Sequence, residues 1–338
     1  MSPLKLRAAR ALGAAMEPLE IRRLFTTSLD LLTGVLNVTG TSGNDTIVVH
    51  WNTLTLSYTV EVNAVNEGTY PIILVSLASI SGGAGDDYIY SDAGALRYNV
   101  SGGDGSDSIK GGTGEDTLSG DAGNDTVDGD RAADTVSGGT NDDILYGGPD
   151  QVSDYLGGSG GNDTLFADAG DDTLAGDSGN DTANYSAATD NMTISLDSVK
   201  NDGGINWGTD NVYSNIETVI GGSGNDTLIG NGGSNSFVGG NGNDNIACGE
   251  GVDWVNGLVG YDTIHGDGGN DYLEGAAGVD RIYGDAGSDT LAGNGSNDYF
   301  YAADGEFDVL TGHGGLDTAW YDGGLDEVAL DIEVRYPQ

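Results

Sequence analysis

Aspartates recur every nine residues through much of this 338-residue chain. Carboxylates held at one fixed spacing are cation ligands in waiting, because stacked like charges repel until a positive ion separates them. Residues 221–301 write out as nine nonapeptides in unbroken phase. Their sixth positions are Asp226, Asn235, Asp244, Asp253, Asp262, Asp271, Asp280, Asp289 and Asp298. Their eighth positions are all apolar, from Leu228 and Phe237 through Ile264 to Leu291 and Phe300. Asp308 and Asp317 follow after a one-residue slip. An earlier array carries Asp107, Asp116, Asp125, Asp134 and Asp143. After two extra residues it resumes with Asp154, Asp163, Asp172 and Asp181. Outlying copies at 40–48 and 82–90 contribute Asp45 and Asp87.

The elements that must position these aspartates follow from the same nine residues. The first six are rich in glycine, which accepts positive φ at little cost and so turns tightly. The last three, such as Thr227-Leu228-Ile229, are too short for a helix. They suit a brief strand whose middle side chain points inward. One nonapeptide is then half a coil, and 18 residues close a full one, with successive coils about 4.8 Å apart. Copies two apart share an edge. Asp226 is predicted to lie beneath Asp244, Asp244 beneath Asp262, and Asp253 beneath Asp271. The inward residues should form two ladders, Leu228-Ile246-Ile264-Ile282-Phe300 on one face and Phe237-Val255-Leu273-Leu291 on the other.

These nonapeptides resemble the G-G-x-G-x-D-x-U-x motif of the RTX, or haemolysin-type, calcium-binding repeat family, a parallel β-helix repeat. The resemblance implies an all-β, right-handed parallel β-roll. It also implies several Ca²⁺ ions, on the order of ten, each between turn i and turn i+2. Both aspartates and several turn carbonyls would hold each ion. Carried onto this sequence, the metal ligands are Asp87, Asp107, Asp116, Asp125, Asp143, Asp163, Asp172, Asp181, Asp226, Asp244, Asp253, Asp262, Asp271, Asp280, Asp289 and Asp298. Copies 129–137 (Ala132 at position four), 138–146 (Asn141 there) and 230–238 (Asn235 for Asp) depart from the motif. Insertions flank Asp154 and Asp308. Weak or empty sites are expected at these points.

Charge narrows the function. The formal net charge is −43, with 54 acidic and 11 basic residues. A polyanion would be repelled along the whole body, which excludes nucleic acid as partner. Cationic docking onto an anionic membrane is equally disfavoured. No apolar run approaches the roughly 18 residues a transmembrane helix needs. A single cysteine, Cys248, excludes an internal disulfide and reads as a small apolar residue in a turn.

Catalysis finds no foothold. The three histidines, His50, His265 and His313, make no H-E-x-x-H. Gly157-Gly158-Ser159-Gly160-Gly161 matches G-x-S-x-G formally, but the repeat's own glycines generate the string. Sequons such as Asn44-Asp45-Thr46 are by-products of the same kind. His265 and His313 read as exposed side chains, and Asp285, at position two of its turn, as a solvated turn residue.

The chain divides into 1–31, an export-like segment; 32–100, a β-rich lead-in; 101–181, the first array; 182–219, a β-rich insertion; 220–320, the second array; and 321–338, a capping strand. Residues 17–25, EPLEIRRLF, resemble the LEPR-type segment of exported planctomycete proteins, with Ile21 where Pro is expected. Leu54, Leu56, Tyr58, Val60 and Val62 alternate as one strand would, and so do Val328, Leu330, Ile332 and Val334. The expected function is an extracellular, calcium-binding structural or cell-surface protein without enzymatic activity. Its partner would be a surface polysaccharide or protein. The alternative is an accessory module for a secreted polysaccharide-active enzyme.

Overall fold

A computed structural model describes residues 26–71, 75–91 and 94–338. The resemblance at 17–25 and most of the export-like segment lie outside the described residues. Those described form no helix. They wind into a β-solenoid of about 14 turns, with short strands stacked into two facing parallel sheets. Each turn of chain delivers one strand to each sheet. The register is the one the nine-residue period dictates. Leu228 pairs with Ile246, Ile246 with Ile264, Ile264 with Ile282 and Ile282 with Phe300. On the other sheet Phe237, Val255, Leu273 and Leu291 stack in the same way. All nine are fully buried. The first array repeats the pattern, with Val100, Leu118, Val136, Leu156 and Leu174 in one ladder.

Each three-residue strand therefore gives the core one side chain, and the core is a thin seam. This makes the contrast between adjacent residues steep. Ile264→Asp should unfold the roll or cost several kcal/mol, because it places an unpaired charge inside the seam. Thr263→Asp should cost about 0.5 kcal/mol or less, because Thr263 points outward beside Asn245 and Arg281. Thermal melts of the calcium-loaded variants measure the difference; equal melting points would mean the strands do not alternate.

The irregular parts depart from the simple alternation. Leu54 and Leu56 are not in the strand their spacing suggests. Leu54 is 94% exposed, and Leu56 sits in a turn with φ 50°. Tyr58, Val60 and Val62 do form the strand Ser57–Val62, the middle of an antiparallel meander between Thr46–Asn52 and Val65–Pro71. At the C-terminal end the run 328–334 is two strands, not one. Glu327–Val328 extends one sheet and Val334–Pro337 the other. Leu330 is 94% exposed in the turn between them, while Ile332 turns into the core. Residues 182–219 are woven into the sheets. Thr182–Asn184 pairs directly with Thr218–Ile220, and Asp202–Gly204 runs antiparallel to Gly208–Val212. Thr26–Asp30 lies antiparallel on Val35–Thr39.

Candidate metal centre

The turns at the two edges of the roll hold the position-six aspartates. Each follows a glycine-rich bend and precedes an outward-facing strand residue, so its side chain turns inward against the neighbouring coil. All the aspartates named as ligands are buried. One carboxylate oxygen of each has the same task along a column. Oδ1 of Asp262 accepts the backbone N–H of Asp244 at 2.8 Å, and Oδ1 of Asp280 accepts that of Asp262 at 2.9 Å. The opposite edge repeats it with Asp253, Asp271 and Asp289. In the first array Asp125, Asp143, Asp163 and Asp181 do the same.

The second oxygen is left over. Oδ2 is buried without a hydrogen-bond partner on every aspartate of the predicted set except Asp226. A buried polar atom without a partner costs free energy, and a column of them marks something missing from the protein's own atoms. What faces these oxygens is backbone carbonyl. A Cβ added to Gly257 would stand 2.5 Å from Oδ2 of Asp262 and 2.8 Å from the carbonyl oxygen of Gly275, one coil on. At Gly239 the same test meets Oδ2 of Asp244 at 2.6 Å and the Gly257 carbonyl at 2.8 Å. Neither glycine has positive φ, so the reason for glycine at position one is space beside oxygen atoms rather than backbone freedom. The donor set is hard oxygen throughout, charged and carbonyl together, which fits Ca²⁺.

Electrostatics agree. Burial first, then the neighbouring Asp280 and Asp244, pushes the Asp262 carboxyl up to about 7, against the pull of the Asp244 N–H. Asp134 and Asp172 are pushed up to about 8, again chiefly by burial. A cation at the orphaned oxygens would reverse the sign of these interactions.

In three position-six residues the corresponding oxygen has a partner. Oδ2 of Asp226 accepts the N–H of Gly222 at 2.9 Å, Oδ2 of Asp45 that of Thr41 at 2.6 Å, and Oδ1 of Asn235 that of Asn231 at 3.0 Å. Gly222, Thr41 and Asn231 lack the positive φ found at position two in Leu258, Asp267 and Asp285, and their N–H groups close on the side chain. Asp134, Asp308 and Asp317 were not in the predicted set, yet carry the same orphaned Oδ2. Ala132 reaches the left-handed turn geometry without glycine, with φ 82°.

The sequence reading missed a second ladder at position five. There Oδ1 of Asn225 accepts the N–H of Asn243, and Oδ1 of Asn243 that of Tyr261, at 2.7 and 2.8 Å. The frequent Asn before the Asp was its signal. Cys248, buried at position one where Gly257 and Gly266 stand in other copies, joins the core. Burial, then Asp253 and Asp271, pushes its thiol up.

The RTX calcium-binding nonapeptide repeat matches residues 79–95, 101–136, 129–151, 153–183, 208–246, 249–282 and 274–306. This chain belongs to the RTX calcium-binding repeat family. Its repeats cover more than half the sequence, and their β-roll is of the kind that binds Ca²⁺. No curated protein matches the chain significantly. Among the described residues, no helix is long and apolar enough to cross a membrane.

Proposed function

We propose that this RTX protein is an exported structural or cell-surface roll whose columns of orphaned aspartate oxygens each take a series of Ca²⁺ ions. The observation that carries the reading is the recurring pair of a buried, partnerless Oδ2 and a position-one carbonyl. Asp262 and Asp280, with the Gly257 and Gly275 turns, would hold one such ion. The ion supplies the charge that lets adjacent coils stack; the protein supplies position, dehydration and the N–H bonds that fix each Oδ1. Catalysis plays no part in this reading. Ser159 of the G-x-S-x-G string lies on the strand Tyr155–Gly160, and its hydroxyl meets that of Ser137 at 3.4 Å rather than an imidazole.

Calorimetric titration tests the assignment. Asp262→Ala should lower calcium stoichiometry by up to about two ions, since a bridging ligand serves the coil on either side. Gly257→Ala should lower it as well, because its Cβ fills the space beside Asp262 Oδ2. Asp226→Ala should lower it less, because both of its oxygens already accept N–H groups, from Met192 and Gly222. Unchanged stoichiometry in Asp262→Ala would refute the site.

A further inference from the structure

One cluster of ligating groups stands apart from the aspartate columns. His265 ends the strand Thr263–His265. Asp267 and Asp285 occupy position two of successive turns on that edge, so the coil repeat stacks their carboxylates beside the imidazole. One ligand atom from each of the three lies within 4.8 Å of the other two. Nδ1 of His265 is 2.9 Å from Oδ2 of Asp285, and Oδ2 of Asp267 accepts the Gly249 N–H at 3.1 Å. The residue thought to be a solvated turn aspartate is therefore paired with a histidine. Both side chains are about one-third exposed, within reach of solutes.

The imidazole is held in plane. Its ring stacks on Tyr283 with centroids 4.2 Å apart and planes 7° apart. Tyr283 stacks on Tyr301, and Tyr301 on Trp320. Beside this ladder Asp285, Tyr283, Tyr301 and Trp320 line a cavity of about 230 Å³. A fixed nitrogen donor, two carboxylates and adjoining open space make a different site from the all-oxygen columns. Ca²⁺ asks for 6–8 oxygens, whereas a borderline ion accepts one nitrogen and two carboxylates with water completing four.

We propose that His265, Asp267 and Asp285 bind one transition-metal dication of the zinc class, independently of the calcium columns. The ion draws the imidazole off its hydrogen bond with Asp285 and shares that carboxylate.

The test uses the full chain saturated with Ca²⁺, titrated with ZnCl₂ at neutral pH. His265→Phe keeps a ring for the Tyr283 stack and removes the nitrogen; Asp285→Asn keeps the shape and removes the charge. Wild type should bind one Zn²⁺ per chain, and each variant should bind it at least about tenfold more weakly, as loss of a ligand or its support does. Calcium stoichiometry and the circular dichroism spectrum should be unchanged in both. Absence of zinc binding to wild type, or His265→Phe binding zinc as well as wild type, would overturn the proposal. A calcium titration on the same samples reads the columns separately, so failure of one site is distinguishable from failure of the other.

Discussion

Stripping calcium from the intact chain should abolish most of its β-sheet circular dichroism, and restoring calcium should bring it back. The charge requires it. The whole chain carries a net −43, and the position-six carboxylates of its narrow roll are stacked coil upon coil. Opposing this is a seam of single apolar side chains per strand. Bound ions replace repulsion with attraction, and where no site exists in the unfolded chain their binding free energy is folding free energy. With extracellular-type affinity, each site contributes about 1.4 kcal/mol at a tenfold excess of ion over Kd. On the order of ten such sites would contribute about 14 kcal/mol, as much as the whole stability of an ordinary domain. The same arithmetic bears on the export proposed above. Cytosolic calcium is far below such affinities, so the roll would fold only on reaching a calcium-rich medium. The measurement is far-UV circular dichroism against free calcium. A β-rich spectrum indifferent to chelation would refute the coupling.

What the sequence made legible was whatever repeats. A period of nine fixes which residue enters the core, and it places Ile264 and Leu273 there from the sequence alone. It also fixes which carboxylates share an edge, and Asp244, Asp262 and Asp280 do lie in one hydrogen-bonded column. What failed were runs outside the period. Leu54 and Leu330 continue an alternation of period two, but alternation cannot say where a strand ends and a turn begins, and both are in turns. The closing of Asp226 onto Gly222 was hidden for another reason. Its copy is a perfect motif, and the difference is a hydrogen bond from the backbone of one glycine, which residue type alone does not reveal. The pairing of His265 with Asp285 was invisible because the two residues are 20 apart and belong to different repeats. Only the coil register brings position nine of one copy beside position two of the copy three further on.

Acid should partly replace calcium. In the metal-free roll the stacked carboxyls sit above their ordinary value of 3.8: Asp244 and Asp280 at about 6, Asp262 and Asp289 at about 7, Asp134 and Asp172 at about 8. Burial is the leading cause in each. The unfolded chain keeps the ordinary value. Between pH 3.8 and about 8 the folded state therefore holds more protons than the unfolded one, and its stability falls as pH rises through that window. The sign is opposite to that of a salt-bridged carboxylate. Calcium-free protein, largely unfolded at pH 8, should regain β-sheet signal as the pH is lowered to 5, still above its isoelectric point near 4.1. A proton on a carboxyl removes its charge, as an ion between two carboxylates neutralises them, although it cannot bridge the turn carbonyls. The recovery should therefore be incomplete and the melting point lower than with calcium. By the same linkage calcium binding at pH 5, where the calcium-free roll has re-formed and its buried carboxyls are protonated, must expel protons. Calorimetry in buffers of different ionisation enthalpy should show that release, and it should vanish at pH 9, where the carboxyls are already ionised. If the calcium-free protein stays unfolded from pH 8 down to pH 5, or if the roll re-formed at pH 5 binds calcium without releasing protons, then the aspartates are not stacked and buried in the way their hydrogen-bonded columns indicate.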